Sequence, residues 1–109
     1  MLGQINDTAQ LHGNGKTLLL TGWVRFDSDE KSARLRVTVI QGGSTVSGES
    51  GTTPSNKRAW TAEVEGDASF LPGPALAVVT AEVELKNGTT EEYPEPNDDP
   101  WARYVTLVG

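Results

Sequence analysis

The residues most able to do chemistry gather in one segment, Glu91-Glu-Tyr-Pro-Glu-Pro-Asn-Asp-Asp-Pro100. Five carboxylates and one amide within ten residues are oxygen donors of the kind calcium prefers, with Glu92, Glu95, Asn97, Asp98 and Asp99 as the ligand set. Their spacing is not that of an EF-hand loop, and the prolines flanking Glu95 restrict how the segment can wrap an ion. The same residues also read as a solvated loop that blunts a strand edge. A third reading is a docking loop for a basic partner, with Tyr93 and Trp101 as aromatic anchors.

Little else in the chain points to a reaction. His12 is the only histidine and lies in a polar stretch with no nucleophile turn beside it, so a Ser-His-Asp arrangement is not expected. With one histidine and no cysteine the sequence cannot assemble an ordinary zinc site, a thiolate site or a disulfide. Gly13-Asn-Gly15 lacks the strand and helix that a phosphate-binding glycine loop requires. The expectation is a protein that is not an enzyme and needs no cofactor.

The elements that would position such residues are strands. Arg58-Ala-Trp-Thr-Ala-Glu-Val-Glu-Gly66 puts Trp60, Ala62 and Val64 on one face and Thr61, Glu63 and Glu65 on the other. Leu18, Leu20, Val24 and Phe26 share a face in the same way, with Gly22 marking a bulge or a close backbone approach. Leu35, Val37 and Val39 line a third strand, and Ala77, Val79, Ala81, Val83 and Leu85 a fourth. Thr45–Ser47 is expected to be a short edge strand, and residues 48–56, which contain no apolar side chain, a flexible loop. Asp27–Lys31 reads as a polar turn, and Phe70–Pro74 as a turn whose phenylalanine plugs the core.

Lys86-Asn-Gly-Thr89 is the strongest hairpin signal, and the returning strand is expected to break at residues 94–100 and resume at Trp101. Residues 1–15 read as an irregular first strand or a loose arm, anchored by Ile5 and Leu11, before a domain over residues 16–109. No stretch has the period of a helix, so the fold class is all-β, an antiparallel sandwich of about seven strands.

Charge narrows the partners. The net charge is −6, and the acidic excess lies in residues 41–109, so neither a phosphate backbone nor an anionic membrane surface is an expected partner. The longest apolar run, Leu18–Leu20, is far too short to span a bilayer, and residues 1–8 lack the basic segment and long apolar run expected of a signal peptide. Trp23 falls opposite Leu20 and Val24, where it either packs on a loop or the N-terminal arm or meets a partner surface or sugar ring. Arg25, Arg34 and Arg36 fall outward too, as solvated partners for the many glutamates.

The order Leu20-Thr-Gly22, Leu35-Arg-Val37-Thr-Val39, Gly42-Gly43, Ala59-Trp60-Thr-Ala-Glu-Val64, Leu71-Pro-Gly73, Val79-Thr-Ala81-Glu-Val83, Asn87-Gly88, Val105-Thr-Leu107 resembles bacterial and phage Ig-like domains, of the bacterial Ig-like or fibronectin type III-like kind. The likeness runs over residues 16–108, and the Pro94–Pro100 segment departs from it. It implies an Ig-like sandwich. Such domains occur as repeats in surface proteins, as accessory modules of glycoside-degrading enzymes, and as appendages on phage capsid and tail proteins. With a Met at its start and no leader, the chain is expected to be a non-catalytic virion accessory of the capsid-decorating type. Its rival is a secreted or cell-surface module that binds carbohydrate or spaces other domains. Trp23, Tyr93 and Trp101 are the expected contacts.

Overall fold

A strand with one wet face must find an apolar surface for the other, and here every long strand finds the same one. The computed structural model describes residues 2–43, 45–54, 58–93 and 101–109. Among these residues nine strands run in chain order: β1 Leu2–Ile5, β2 Thr8–His12, β3 Thr17–Arg25, β4 Glu30–Gln41, β5 Val46–Thr52, β6 Ala59–Glu65, β7 Gly73–Leu85, β8 Thr90–Tyr93 and β9 Trp101–Val108. They form one mixed sheet in the order β1-β3-β2-β9-β7-β4-β5, with β6 added to β3 and β8 to β7. The protein is all-β, as the alternation predicts.

The inward faces merge into a single core. Leu18, Leu20 and Val24 of β3, Leu35, Val37 and Val39 of β4, Trp60, Ala62 and Val64 of β6 and the alternate residues of β7 from Ala75 to Leu85 are all buried in it. Phe70 closes one end at 2% exposure, the plug that its turn predicts. The Asn-Gly hairpin also forms, by a slightly different device. Only Gly88 takes a positive φ, 89°, while the Asn87 side chain accepts from the Thr89 backbone N–H at 2.9 Å.

Three expectations are corrected. The N-terminal stretch is neither one irregular strand nor a loose arm. β1 pairs antiparallel with β3, and at Asn6–Asp7 the chain changes allegiance. Asn6 N–H still donates to Thr21 O of β3 at 2.9 Å, whereas Asp7 O accepts from Thr106 N–H of β9 at 2.8 Å. β2 then runs parallel to β9 while keeping antiparallel bonds to β3, and Ile5 and Ala9 are buried.

Residues 48–52, expected in a loop, continue β5, because ladder bonds to β4 from Leu35 to Gln41 hold a strand that has few apolar side chains. β5 also meets β6 through a bridge between Gly48 and Gly66, so the two ends of the sheet touch. A Cβ on Gly48 would lie 2.6 Å from Glu65 O, so this contact needs a glycine. Among the described residues the nine strands form one continuous sheet, because β2 bonds to both β3 and β9.

β4 starts at Glu30, within the expected turn, and Glu30 is 2% exposed. Its carboxylate accepts from the Asp27 backbone N–H and so closes the turn that Glu30 N–H makes to Asp27 O at 3.1 Å. Glu30→Ala is expected to cost about 1–3 kcal/mol in urea unfolding, since it takes the acceptor from the part-buried Asp27 N–H and empties the space of a buried side chain. Glu30→Gln, which keeps a side-chain oxygen, is expected to cost less.

Candidate functional site

A finished core leaves its outer faces and ends to do any work, and the outward residues divide into two sheet regions. On β1, β3 and β6 the register aligns Gln4, Trp23 and Ala59 across the face, with Thr21 and Thr61 in the next outward row. Both neighbours of Trp23 in its row are shorter than an indole, and Trp23 is 45% exposed. This anchor faces solvent, and among the described residues neither the N-terminal strand nor a loop covers it.

The other two aromatic anchors come together elsewhere. Tyr93 pairs with Ala81 and Trp101 with Val79, so β8 and β9 follow one another along the same edge of β7 with only Thr80 between their ends. That is the interrupted returning strand the prolines predict. The two rings stack at 6.3 Å between centroids, 15° from parallel. Both point inward and pack on the core, half-buried. Trp101 also helps line a small crevice with Gly3, Ile5, Val24 and Trp60. Beside it Arg103 donates from Nη1 to Ile5 O at 2.7 Å, which ties β9 to β1 where no ladder joins them. The Tyr93 hydroxyl bonds Glu91 at 2.8 Å.

Of the calcium ligand set, Glu95, Asn97, Asp98 and Asp99 lie outside the described residues, and Glu92 stands exposed on β8. Among the described residues no three His, Cys, Asp or Glu side chains converge as a metal site would require. His12 is exposed at the end of β2 beside the short turn Gly13–Gly15. With Leu11, Phe70, Leu71 and Pro72 it lines an open hollow of about 350 Å³. No described helix is long and apolar enough to cross a membrane.

The second outer region, on β9, β7, β4 and β5, carries residues that sequence reasoning passed over. Tyr104, Leu76 and Ile40 form one cross-strand row, and Ala102, Val78 and Thr38 the next. Tyr104 is 73% exposed, and Leu76, Val78 and Ile40 are half-buried. Further along the same strands the rows turn polar: Thr80 beside Arg36, Glu82 beside Arg34, Glu84 beside Ser32. Arg36 pairs with Glu49 at 3.2 Å, and the charged end floors an open cleft of about 600 Å³. The one signal for the apolar end was the unbroken apolar run Ala75–Val79, which leaves no polar residue for the outward positions 76 and 78.

The outer surfaces thus carry exposed aromatic and half-buried apolar side chains in cross-strand rows. No family model matches this chain, and no curated protein and no solved structure matches it.

Proposed function

We propose that this chain is a non-catalytic interaction module of the Ig-like sandwich kind, an accessory protein that adds itself to the capsid of a phage virion. The strand order supports the Ig-like reading. β1, β3 and β6 form one antiparallel group and β9, β7, β4 and β5 another, with β2 leaving the first to run parallel to an edge of the second. The observation that carries an interaction role is Trp23, an indole held 45% exposed between two smaller cross-strand neighbours, Gln4 and Ala59. Buried tryptophans contribute heavily at protein interfaces. By mass action, a protein that binds only the assembled shell stabilises it.

The test is a density-gradient fractionation of the native source with mass spectrometry, followed by rebinding of purified chain to stripped particles. Wild type is expected to travel with the particles at a fixed ratio to a shell protein. Trp23→Ala is expected to rebind at least about 30-fold more weakly, the equivalent of about 2 kcal/mol at one anchor. Its melting curve should match wild type, because the ring lies outside the core. A chain that stays in the free fraction, or a variant that rebinds normally, removes the reading. The polar side chains of Gln4 and Thr21 beside the indole favour a second reading, carbohydrate binding at a cell surface. Saturable quenching of tryptophan fluorescence by soluble oligosaccharides, lost in the same variant, is its signature.

A further inference from the structure

We infer that the outer face of β9, β7, β4 and β5 takes a second copy of this chain, in a face-to-face dimer whose two-fold axis runs along the seam between β4 and β7. This goes beyond the role given to Trp23, which stands on the outer side of β1, β3 and β6.

The face is graded along its strands. Tyr104, Leu76 and Ile40, then Ala102, Val78 and Thr38, make its apolar end, and Arg34, Arg36, Glu82, Glu84 and Glu92 its charged end. Like must therefore meet like along the strand direction. An axis across the strands would lay the charged end of one copy on the apolar end of the other and strand charges against leucine and isoleucine. An axis along the seam lays apolar on apolar and charged on charged over the two central strands, β4 and β7. It sets β4 of one copy over β7 of its partner, and Ile40 over the partner's Leu76.

The charges then sort themselves. Arg34 and Glu82 are cross-strand neighbours, yet neither forms an ion pair with a described residue, whereas Arg36 holds Glu49 and Lys31 holds Glu84 at 3.6 Å. Across the seam axis Arg34 faces the partner's Glu82, and symmetry repeats the contact. Glu49 faces the partner's Ala102, and Glu84 the partner's Ser32, so no carboxylate meets another. Packed sheets lie about 10 Å apart, within reach of an arginine and a glutamate extended toward each other. An unrelated protein would have to reproduce this grading and charge order, whereas a second copy has both by symmetry.

Sedimentation equilibrium on the full chain over a wide concentration range tests this. Wild type is expected to be a dimer that dissociates on dilution and loosens in high salt. Arg34→Glu and Glu82→Arg should each weaken the dimer at least tenfold, because like charges then face each other twice. Mixed in equal amounts, the two variants should form a heterodimer, since each supplies the charge that the other lacks. Leu76→Asp should stay monomeric in any mixture while still unfolding in a single cooperative transition, at a somewhat lower midpoint because Leu76 is half-buried. A wild type that is monomeric throughout, or variants that remain monomeric when mixed, overturns the assignment. Loss of dimer with particle rebinding intact leaves the Trp23 reading standing, and the reverse result separates the two the other way.

Discussion

Gly22→Ala is expected to lower the stability of this protein more than any other single methyl group added to a strand. A Cβ at position 22 would lie 2.3 Å from Gln4 O of β1 and 2.3 Å from Cζ2 of Trp60. Neither neighbour can give way cheaply. The carbonyl belongs to the backbone of a paired strand, and the indole is 2% exposed, locked among core side chains. Overpacking a core costs about 1–3 kcal/mol and occasionally more, and two rigid neighbours put this site at or above the top of that range.

Against a total of about 5–15 kcal/mol, such a loss should take at least about 12 °C from the melting temperature. Gly51→Ala is the control. Position 51 is also in a strand, but the nearest atom to its added Cβ is Leu35 O at 3.8 Å, so no loss beyond about 0.5 kcal/mol is expected. Trp60→Phe in the Gly22→Ala background should return only part of the loss, because the Gln4 carbonyl stays. Equal midpoints for Gly22→Ala and Gly51→Ala in urea would show that the sheet does not close on Gly22.

That glycine was legible in the sequence as a close approach, though what approaches was not. The difference shows how far residue patterns reach. β3, β4, β6 and β7 each place at least three apolar residues at alternate positions, which identifies both the strand and its inward face. The break of the returning strand could be read because proline cannot donate to a ladder. Only the start of β5, around Val46, could be read, since backbone bonds hold the rest and Ser47, Glu49, Ser50 and Gly51 carry no apolar period. The graded outer face was hidden for another reason. Tyr104, Leu76 and Ile40 are neighbours only because three strands far apart in sequence are paired, and none of these residues is unusual in its own strand. Trp23 was placed correctly by parity alone, whereas Tyr93 and Trp101 needed the pairing of both strands to β7 before their stacking appeared.

Removing residues 1–9 is expected to abolish cooperative folding, the larger of the two effects. A loose arm could be cut away without consequence, but this segment holds the two halves of the sheet together. β1 covers the edge of β3 that β6 leaves free, and β2 is the strand through which β3 reaches β9. The deletion takes Ile5 and Ala9 out of the core, at 3% and 2% exposure, and a buried isoleucine alone is worth about 2–5 kcal/mol when cut to alanine. It also strands Arg103, whose guanidinium loses the Ile5 carbonyl, and strips Thr106 N–H of its Asp7 acceptor.

These losses together approach the whole stability of a domain of this size. The truncated chain should show no sigmoidal thermal transition and no near-ultraviolet circular dichroism from its tryptophans. Ile5→Ala in the full chain is the graded version, expected to keep a single transition at a lower midpoint. If the truncated chain melts as wild type does, the first two strands are ornaments on a sheet that closes without them. The parallel pairing of β2 with β9 would then contribute nothing to the fold.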